Sequence, residues 1–305
     1  GHISIIVTEL CTNFLKHAGS GKLIMRSTQS AHLNGVEILA LDQGPGINNI
    51  AESLRDGFST TGSSGTGLGA IQRMSSLFDI YSTPNLGSAV LSRVWRLANA
   101  TQPIPSLHKT DVGVVCMPIN SQVECGDNWA IRPSAGRKII MLIDGLGHGH
   151  FAAEAAQAGY DIFDKYYNLS PVQIVEHMHS ALRHTRGAVV AVAEILMSQN
   201  LVHFAGVGNI SSRIISSTGS HNLISHNGTI GLEARKIVEF TYPWPAGGLL
   251  IMNSDGVNGH WNFDKYPGLR LRHPALIAGV LFRDYRRETD DATIIVFKEG
   301  STETW

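Results

Sequence analysis

The sequence predicts an α+β protein built from two domains. Its 305 residues exceed the usual length of a single domain. Residues 99–108 contain two prolines and small polar residues without periodicity, which is typical of a semi-stiff linker. On both sides of this stretch, amphipathic helices alternate with groups of hairpin-spaced strands, a pattern that favours helices covering sheets. We therefore predict domains at residues 1–98 and 109–299, joined by the linker 99–108.

Composition excludes several classes of protein. Hydrophobic residues make up 43% of the chain and charged residues 16%, which is a globular composition. A net charge of −1 offers no attraction to nucleic acid or an anionic membrane. No apolar run is long enough to span a bilayer, and the first residues are not a signal peptide. The three cysteines contain no Cys-x-x-Cys pair, so we expect reduced thiols in a cytoplasmic protein.

The first domain is predicted to begin inside a helix. Its buried stripe is marked by apolar residues at helical spacing: Ile3, Ile6, Val7, Leu10, Phe14 and Leu15. Glu9, Asn13 and His17 are four residues apart and therefore share a different face. Further along, the pattern predicts strands at 23–28 and 36–41, a glycine-rich loop at 57–69, a helix at 70–78 and a hairpin at 79–96.

The glycine-rich loop opens a helix, and this arrangement suits a phosphate group. Backbone N–H groups and the positive end of the helix dipole both attract anions. The loop lacks the Gly-Lys-Ser/Thr of a Walker sequence, and its glycine spacing is not that of a dinucleotide-binding fingerprint. By itself it is equally well explained as an ordinary flexible loop.

Three motifs taken together are more specific: Glu9-x-x-x-Asn13-x-x-x-His17, Asp42-x-Gly44-x-Gly46 and Gly65-x-Gly67-x-Gly69. With them, residues 1–97 resemble the GHKL (Bergerat) ATP-binding domain, an α/β sandwich, in its anti-sigma-factor and switch-kinase (RsbT-like) branch. That fold normally has a strand and a helix before the Asn-bearing helix, so we expect this domain to lack part of its start.

The resemblance implies a role for each motif. The helix would supply Asn13 as a ligand of the Mg²⁺ of ATP and Glu9 as the general base for a protein Ser or Thr hydroxyl. Asp42, Gly44 and Gly46 would contact the adenine of the nucleotide. Gly65, Gly67 and Gly69 would surround its phosphates.

Aspartates lie at the ends of predicted strands in the second domain. The buried strand 139–143 delivers Asp144 beside Gly145, and the strand 249–252 is followed by Asp255. Asp290 stands before the strand 292–297, and Asp127 follows a glycine in a predicted loop. Mg²⁺ and Mn²⁺ prefer oxygen ligands, and two such ions about 3.5–4 Å apart can activate water and polarise a phosphoryl group. Taken singly, an Asp-Gly pair is more often a turn than a ligand.

The order of these motifs is Gly126-Asp127, Asp144-Gly-Leu-Gly-His-Gly149, Ser254-Asp-Gly256 and Asp290-Asp-Ala-Thr293. Residues 110–298 thereby resemble the metal-dependent protein phosphatase (PPM) family, an αββα sandwich, in its bacterial SpoIIE/RsbX-like branch. The resemblance implies that Asp144 bridges two Mn²⁺ or Mg²⁺ ions and that Gly145 contributes its carbonyl. Asp255 and Asp290 would hold one ion, and Asp127 the other.

Two positions depart from the pattern of the PPM family. Asp291 occupies a place where related phosphatases carry Asn, so we rank it below Asp290 as a ligand. Leu146 stands where better-known members have a histidine that is a candidate acid for the leaving group. His148 is an alternative acid, although we expect it to be a histidine that faces water.

The two resemblances predict a metal-dependent protein serine/threonine phosphatase that acts on phosphorylated STAS-domain regulators. An attached ATP-binding module would phosphorylate or bind a partner, such as a sigma-factor regulator, in a stress-related partner-switching pathway. Two alternatives stay open: a non-catalytic module that binds ATP or a partner, and a different phosphohydrolase built on the same carboxylates. The near-neutral charge argues against nucleic acid as a partner.

Overall fold

The computed structural model describes residues 1–30, 33–55, 67–96, 112–134 and 136–299. The N-terminal elements are α1 (His2–Asn13), a π-helical turn (Phe14–Ala18), β1 (Lys22–Ser30), β2 (Leu33–Asp42), α2 (Ile50–Ser53), α3 (Gly67–Met74), β3 (Leu77–Ser82) and β4 (Ser88–Arg96). They are followed by β5 (Val112–Met117), β6 (Asp127–Ser134), β7 (Arg137–Gly145), α4 (His150–Tyr166), α5 (Pro171–Ala181), β8 (Ala188–Leu196), β9 (Leu201–Val207), β10 (Ser211–Ser216), β11 (Gly219–Asn222), β12 (Glu239–Pro243), β13 (Leu249–Asn253), α6 (Pro274–Tyr285) and β14 (Ala292–Lys298). None of the helices in these ranges has both the length and the apolar character needed to cross a bilayer.

The chain divides into two compact units. The first contains the described residues of Gly1–Gly113 together with Asn262–Asp284, and the second those of Val114–Trp261 and Tyr285–Trp305. Residues 262–284, which include most of α6, therefore group with the N-terminal residues, although the predicted second domain runs from 109 to 299. The boundaries predicted from sequence stay a prediction.

The first unit is built around an antiparallel sheet with the strand order β1-β2-β4-β3. One face of the sheet packs against α1 and α3 through a shared core: Ile6, Leu10, Phe14, Ile38, Ala40, Ile71, Ile80 and Val90. The other face carries α6. A Cβ atom at Gly279 of α6 would lie 2.7 Å from Cδ2 of Leu39, so the helix packs closely against the sheet at this glycine.

Two predicted features of the first unit are wrong. Leu15 was assigned to the buried stripe of the first helix, but its side chain is 77% exposed. The helix changes to a π-helical turn after Asn13, and this wider turn breaks the 3.6-residue period. The helix predicted at 70–78 ends at Met74, because Ser76 N donates to Arg93 O and directs the chain into β3.

A buried ion pair lies within the sheet of the first unit. Glu37 and Arg93 are 3% and 1% exposed, and the Arg93 guanidinium donates to the Glu37 carboxylate. Arg26 reaches the other carboxylate oxygen of Glu37. Burial alone would raise the pKa of Glu37, but the two arginines outweigh it and the pKa is lowered.

The second unit contains two five-stranded sheets, with strand orders β12-β9-β8-β7-β6 and β11-β10-β13-β14-β5. The first of these sheets packs against α4 and α5 through residues such as Met141, Ile143, Phe163 and Ile174. Ile140, on the opposite face of β7, is also fully buried. The prediction that this strand is buried on both faces is therefore confirmed.

The second unit also contains a capped helix start and two neighbouring cysteines. The capping box at the start of α5 is formed by Ser170 and Gln173, with Pro171 at the first helical position. The cysteines are unbridged, although Sγ of Cys116 and Sγ of Cys125 lie 3.6 Å apart.

Candidate active site

The hairpin of β6 and β7 places two of the predicted metal ligands side by side. Asp127 and Asp144 are directly opposite each other in the antiparallel register. Gly145 N donates to Gly126 O, so the neighbouring pair is the hydrogen-bonded one. Asp127 and Asp144 consequently form a non-hydrogen-bonded pair, in which the Cα atoms approach to about 4.5 Å. Asp127 is the first residue of β6, so its predicted position in a loop is wrong.

Ser254 ties the second sheet to this hairpin. Its hydroxyl donates to Oδ2 of Asp127 at 2.7 Å and accepts from Thr293 N at 2.9 Å. The next residue, Asp255, accepts a hydrogen bond from Nδ2 of Asn209 at 2.8 Å. No role was predicted for Ser254 or Asn209. Ser254 stands inside a motif that was recognised, whereas Asn209 follows the end of β9 and carries no comparable signal.

Asp290 and Asp291 have different surroundings. Asp291 is 3% exposed, and its two carboxylate oxygens accept from Ile119 N at 2.7 Å and Gly126 N at 2.8 Å. Both oxygens are therefore used to fix the segment that precedes β6. Asp290 is partly exposed, and its carboxylate accepts from the Asp291 backbone N–H at 2.9 Å. The carboxylate of Asp290 is thus more available than that of Asp291, and the ranking of the two as metal ligands stays a prediction.

The carboxylates share one electrostatic field. Burial raises the pKa of Asp144 to about 9, and the charges of Asp127, Asp255, Asp290 and Asp291 add to the shift. Burial also raises the pKa of Asp127 to about 7, against the lowering effect of nearby hydroxyl groups. The pKa of Asp290 is raised by burial as well, with a further contribution from Asp255. Groups that repel one another in this way favour a cation among them.

The residues present fit a hard metal ion in their donor chemistry. Oδ1 of Asp127 is buried and makes no hydrogen bond of good geometry, although the hydroxyl of Thr293 is near enough to lower the pKa of Asp127. An orphaned buried carboxylate oxygen is costly unless a cation or water satisfies it. Within the described ranges, no group of three or more His, Cys, Asp or Glu side chains has a ready-made metal-binding geometry. The acids therefore interact electrostatically, but within the described residues their side chains are not arranged as a metal-coordination shell.

Glycines allow close packing around the cluster. A Cβ atom at Gly145 would lie 2.1 Å from the carbonyl oxygen of Ala152 in α4. A Cβ atom at Gly256 would lie 1.7 Å from the carbonyl oxygen of Asp291. Neither position can accept a side chain without displacing backbone. The part of Gly145 as a carbonyl ligand stays a prediction.

The loop after Asp144 faces solvent. Leu146 is 49% exposed and donates its backbone N–H to Gly187 O at 3.1 Å. His148 is exposed, as expected for a histidine that faces water. His148 is among the groups that lower the pKa of Asp290, so it lies near the cluster.

The first unit brings together three residues of the predicted nucleotide site. A Cβ atom at Gly67, the first residue of α3, would lie 3.1 Å from Oε2 of Glu9 and 3.6 Å from Oδ1 of Asn13. The start of α3 therefore stands against the polar face of α1. Gly69 is buried within α3. Gly65 lies outside the described residues.

The segment after β2 carries the predicted adenine-binding residues. Oδ1 of Asp42 accepts from Gly44 N at 2.9 Å and Ser88 N at 3.2 Å. Gly46 has φ +73°, and a Cβ atom there would lie 2.3 Å from Thr83 O. Burying one oxygen of Asp42 in backbone hydrogen bonds fixes the carboxylate at the strand end. Both glycines lie close to other parts of the chain, and their approach to an adenine base stays a prediction.

Comparison with known proteins identifies the family. The family model for Stage II sporulation protein E (SpoIIE) matches residues 134–298, just over half of the chain. The chain belongs to the SpoIIE family. It is a protein serine/threonine phosphatase of the PPM type, and its second unit has the mixed helix and sheet fold of PP2C-like phosphatases.

Two Bacillus subtilis (strain 168) proteins resemble parts of this SpoIIE-family chain. Phosphoserine phosphatase RsbX is 27% identical over 135 residues, which cover 44% of this chain and 68% of RsbX. Serine/threonine-protein kinase RsbT is 33% identical over 93 residues, which cover 30% of this chain and 70% of RsbT.

Solved structures support the PP2C-like fold of this SpoIIE-family chain. A structure from work on the bacterial stressosome, as a modular system adapted to control secondary messenger signalling, has a TM-score of 0.57 and 28% identity, and the match covers 61% of this chain and 97% of that one. RsbX in complex with magnesium has a TM-score of 0.52 and 23% identity, and the match covers 61% of this chain and 92% of that one. The second similarity concerns the fold alone.

Proposed function

We propose that the second unit removes phosphate from phosphoserine or phosphothreonine of STAS-domain regulatory proteins, with Mn²⁺ or Mg²⁺ held by the carboxylate cluster. The observation that carries this proposal is the orphaned Oδ1 of Asp127, buried beside acids whose pKa values are raised. Asp144 would bridge two ions, with Gly145 contributing its carbonyl. Asp255 and Asp290 would complete one site, and Asp127 the other.

When bound, such ions supply an activated water and polarise the phosphoryl group. The protein's part is to hold the ligands in place. Ser254 holds Asp127 through its hydroxyl, Asn209 holds Asp255, and Asp291 fixes the backbone before β6. Leu146 is exposed and cannot transfer a proton, so the leaving group would take its proton from water or from His148.

RsbX is a phosphoserine phosphatase, and RsbT is a serine/threonine-protein kinase. Their joint similarity to one chain supports a place in partner-switching regulation, where a protein is phosphorylated and dephosphorylated in turn. A phosphorylated STAS-domain regulator is the substrate class we propose, and a sigma-factor regulator is a further partner.

The test is phosphate release from a phosphoserine STAS protein with Mn²⁺ or Mg²⁺. We expect the wild type to be active, Asp144→Asn to be inactive, and chelation to abolish the activity. Asp161→Asn is a matched control, because Asp161 is an exposed acid of α4 that only accepts from Gln157. Full activity of Asp144→Asn, or release from nucleotides or DNA in place of the phosphoprotein, would reject the proposal.

We infer a second function for the first unit, namely ATP–Mg²⁺ binding by a GHKL-type module that phosphorylates or binds the same class of partner. Two features support it: the approach of Gly67 to Glu9 and Asn13, and the backbone hydrogen bonds that fix Asp42. Glu9 would be the general base and Asn13 the Mg²⁺ ligand. Asp42, Gly44 and Gly46 would contact the adenine.

The test separates binding from transfer. Asn13→Ala should abolish ATP binding measured by calorimetry, whereas Glu9→Ala should retain binding and lose transfer of the γ-phosphate to a STAS protein. Glu52→Ala is the control, since Glu52 is an exposed acid of α2. Phosphate transfer that persists in Glu9→Ala would remove Glu9 as the base. ATP binding without transfer by the wild type would favour a non-catalytic module.

A further inference from the structure

Arg186 lies against the loop that follows Asp144. Its Nη1 is 3.5 Å from the carbonyl oxygen of Leu146, and a Cβ atom at Gly147 would lie 3.1 Å from the same nitrogen. The guanidinium carbon is 5.4 Å from the ring centroid of Phe151, at the start of α4. The carbonyl group of Leu146 and the ring of Phe151 thus position the Arg186 guanidinium.

Hydrogen bonds fix the backbone beside Arg186, whereas the charge of its side chain is not balanced by an acid in the described part of the chain. Gly187 N donates to Oγ1 of Thr185 at 3.0 Å, and Gly187 O accepts from Leu146 N. Within the described part of the chain, no carboxylate contacts the Arg186 guanidinium, whereas Arg132 pairs with Asp164. The carbonyl contact at 3.5 Å is long for a hydrogen bond. Most N–H donors of this exposed arginine therefore remain available to a ligand.

The position of Arg186 is close to the carboxylate cluster. Leu146, which it contacts, is two residues from Asp144, and two residues span at most about 7 Å. The carbonyl oxygen of Gly147 would also lie 3.4 Å from a Cβ atom at Gly126, the neighbour of Asp127. The same short loop therefore contacts the arginine and the segment that carries a predicted ligand.

A planar guanidinium with available donors matches the oxygens of a phosphoryl group, which it can bind in a bidentate manner. We propose that Arg186 binds the phosphoryl group of the substrate, with Phe151 as a positioning residue that orients the guanidinium. This proposal rests on the proposed phosphatase function. A carboxylate beside the phosphorylated residue offers similar oxygen chemistry, so the experiment must distinguish the two anions.

The experiment compares Arg186→Ala, Arg186→Lys and Phe151→Ala on three substrates with Mn²⁺: p-nitrophenyl phosphate and phosphoserine peptides with acidic or neutral flanking residues. Arg186→Ala should raise KM at least about tenfold on all three, because a charged hydrogen-bonded pair is lost. Arg186→Lys keeps the charge but not the bidentate geometry, so its KM should be intermediate. Inhibition by inorganic phosphate should weaken in the same order.

Phe151→Ala should also give an intermediate KM. Arg186→Lys should restore only part of the inhibition by inorganic phosphate that is lost in Arg186→Ala. Arg183→Ala is the matched control, since Arg183 is another exposed arginine on the same short segment, and its KM should equal that of the wild type. Melting temperatures of all variants should agree within a few degrees, because both arginines are exposed.

Three outcomes would overturn the proposal. If Arg186→Ala changes neither KM nor phosphate inhibition in an active enzyme, Arg186 does not bind the phosphoryl group. If KM rises only for the peptide with acidic flanks, Arg186 binds a flanking carboxylate. An inactive wild type would instead reject the proposed function, and the role of Arg186 with it.

Discussion

Replacing Asp144 by asparagine should stabilise the cation-free protein although it removes a residue proposed for catalysis. The carboxyl of Asp144 has a pKa of about 9 in the folded chain, against an ordinary value of 3.8, because it is buried among other acids. Because the pKa of Asp144 is higher in the folded chain than in the unfolded chain, the contribution of its protonated carboxyl to stability is fully present below about pH 4. It is lost progressively as the pH rises towards 9.

The size of the effect at pH 7 follows from these two values. In the unfolded chain the Asp144 carboxyl is ionised at pH 7, whereas in the folded chain it keeps its proton. This pH is about 3 units above the ordinary pKa of the group. At 1.36 kcal/mol per unit, the cost is up to about 4 kcal/mol. Asparagine carries no titrating group and avoids this cost. For a protein of this size, the gain corresponds to a melting temperature higher by on the order of 10 °C.

The assay is calorimetric unfolding after treatment with a chelator, from pH 5 to pH 9. The melting temperature of the wild type should fall towards pH 9, whereas that of Asp144→Asn should change less and lie above it. Asp161→Asn should follow the wild type. Added Mn²⁺ should raise the melting temperature of the wild type and have little effect on Asp144→Asn. Equal or lower stability of cation-free Asp144→Asn at pH 8 would refute the reasoning.

Three further substitutions test the packing around these features. Asp291→Ala orphans one buried and one partly buried backbone N–H group and should cost about 2–5 kcal/mol in urea unfolding, whereas Asp290→Ala should cost much less. Glu37→Ala removes the carboxylate partner of the buried Arg93 and should destabilise the first unit by about 3–5 kcal/mol, and thermal unfolding that matches the wild type would contradict this. Gly256→Ala forces a methyl group against the Asp291 carbonyl and should lower soluble yield and melting temperature sharply, whereas Gly259→Ala, whose Cβ would meet nothing closer than 3.4 Å, should be tolerated.

The sequence allowed the acids of the second unit to be found because each follows a simple pattern. A run of apolar residues identifies a buried strand, and the strand end fixes where the next acid lies, as at Asp144 and Asp255. The partners of these acids could not be found in the same way. Ser254 and Asn209 act through hydrogen bonds between segments that are distant in sequence, and no local periodicity records such pairs.

The errors have identifiable physical causes. The exposure of Leu15 results from a π-helical turn, which no pattern with a 3.6-residue period can indicate. Asp127 was placed in a loop because Gly126 precedes it, yet pairing with β7 makes it the first residue of a strand. The grouping of residues 262–284 with the first unit depends on tertiary packing and could not be read from composition.

The register of the β6–β7 hairpin also makes loop length a constraint on chemistry. Ser134 pairs with Arg137, so only residues 135 and 136 separate the strands, and the same register places Asp127 opposite Asp144. One added residue at this connection would shift the pairing by one position and turn the facing side chain to the opposite side of the sheet. Gly136 has φ +82°, so a substitution at this residue is strained as well. A peptide inserted at this connection would have to bulge outwards and leave the pairing of Ser134 with Arg137 unchanged.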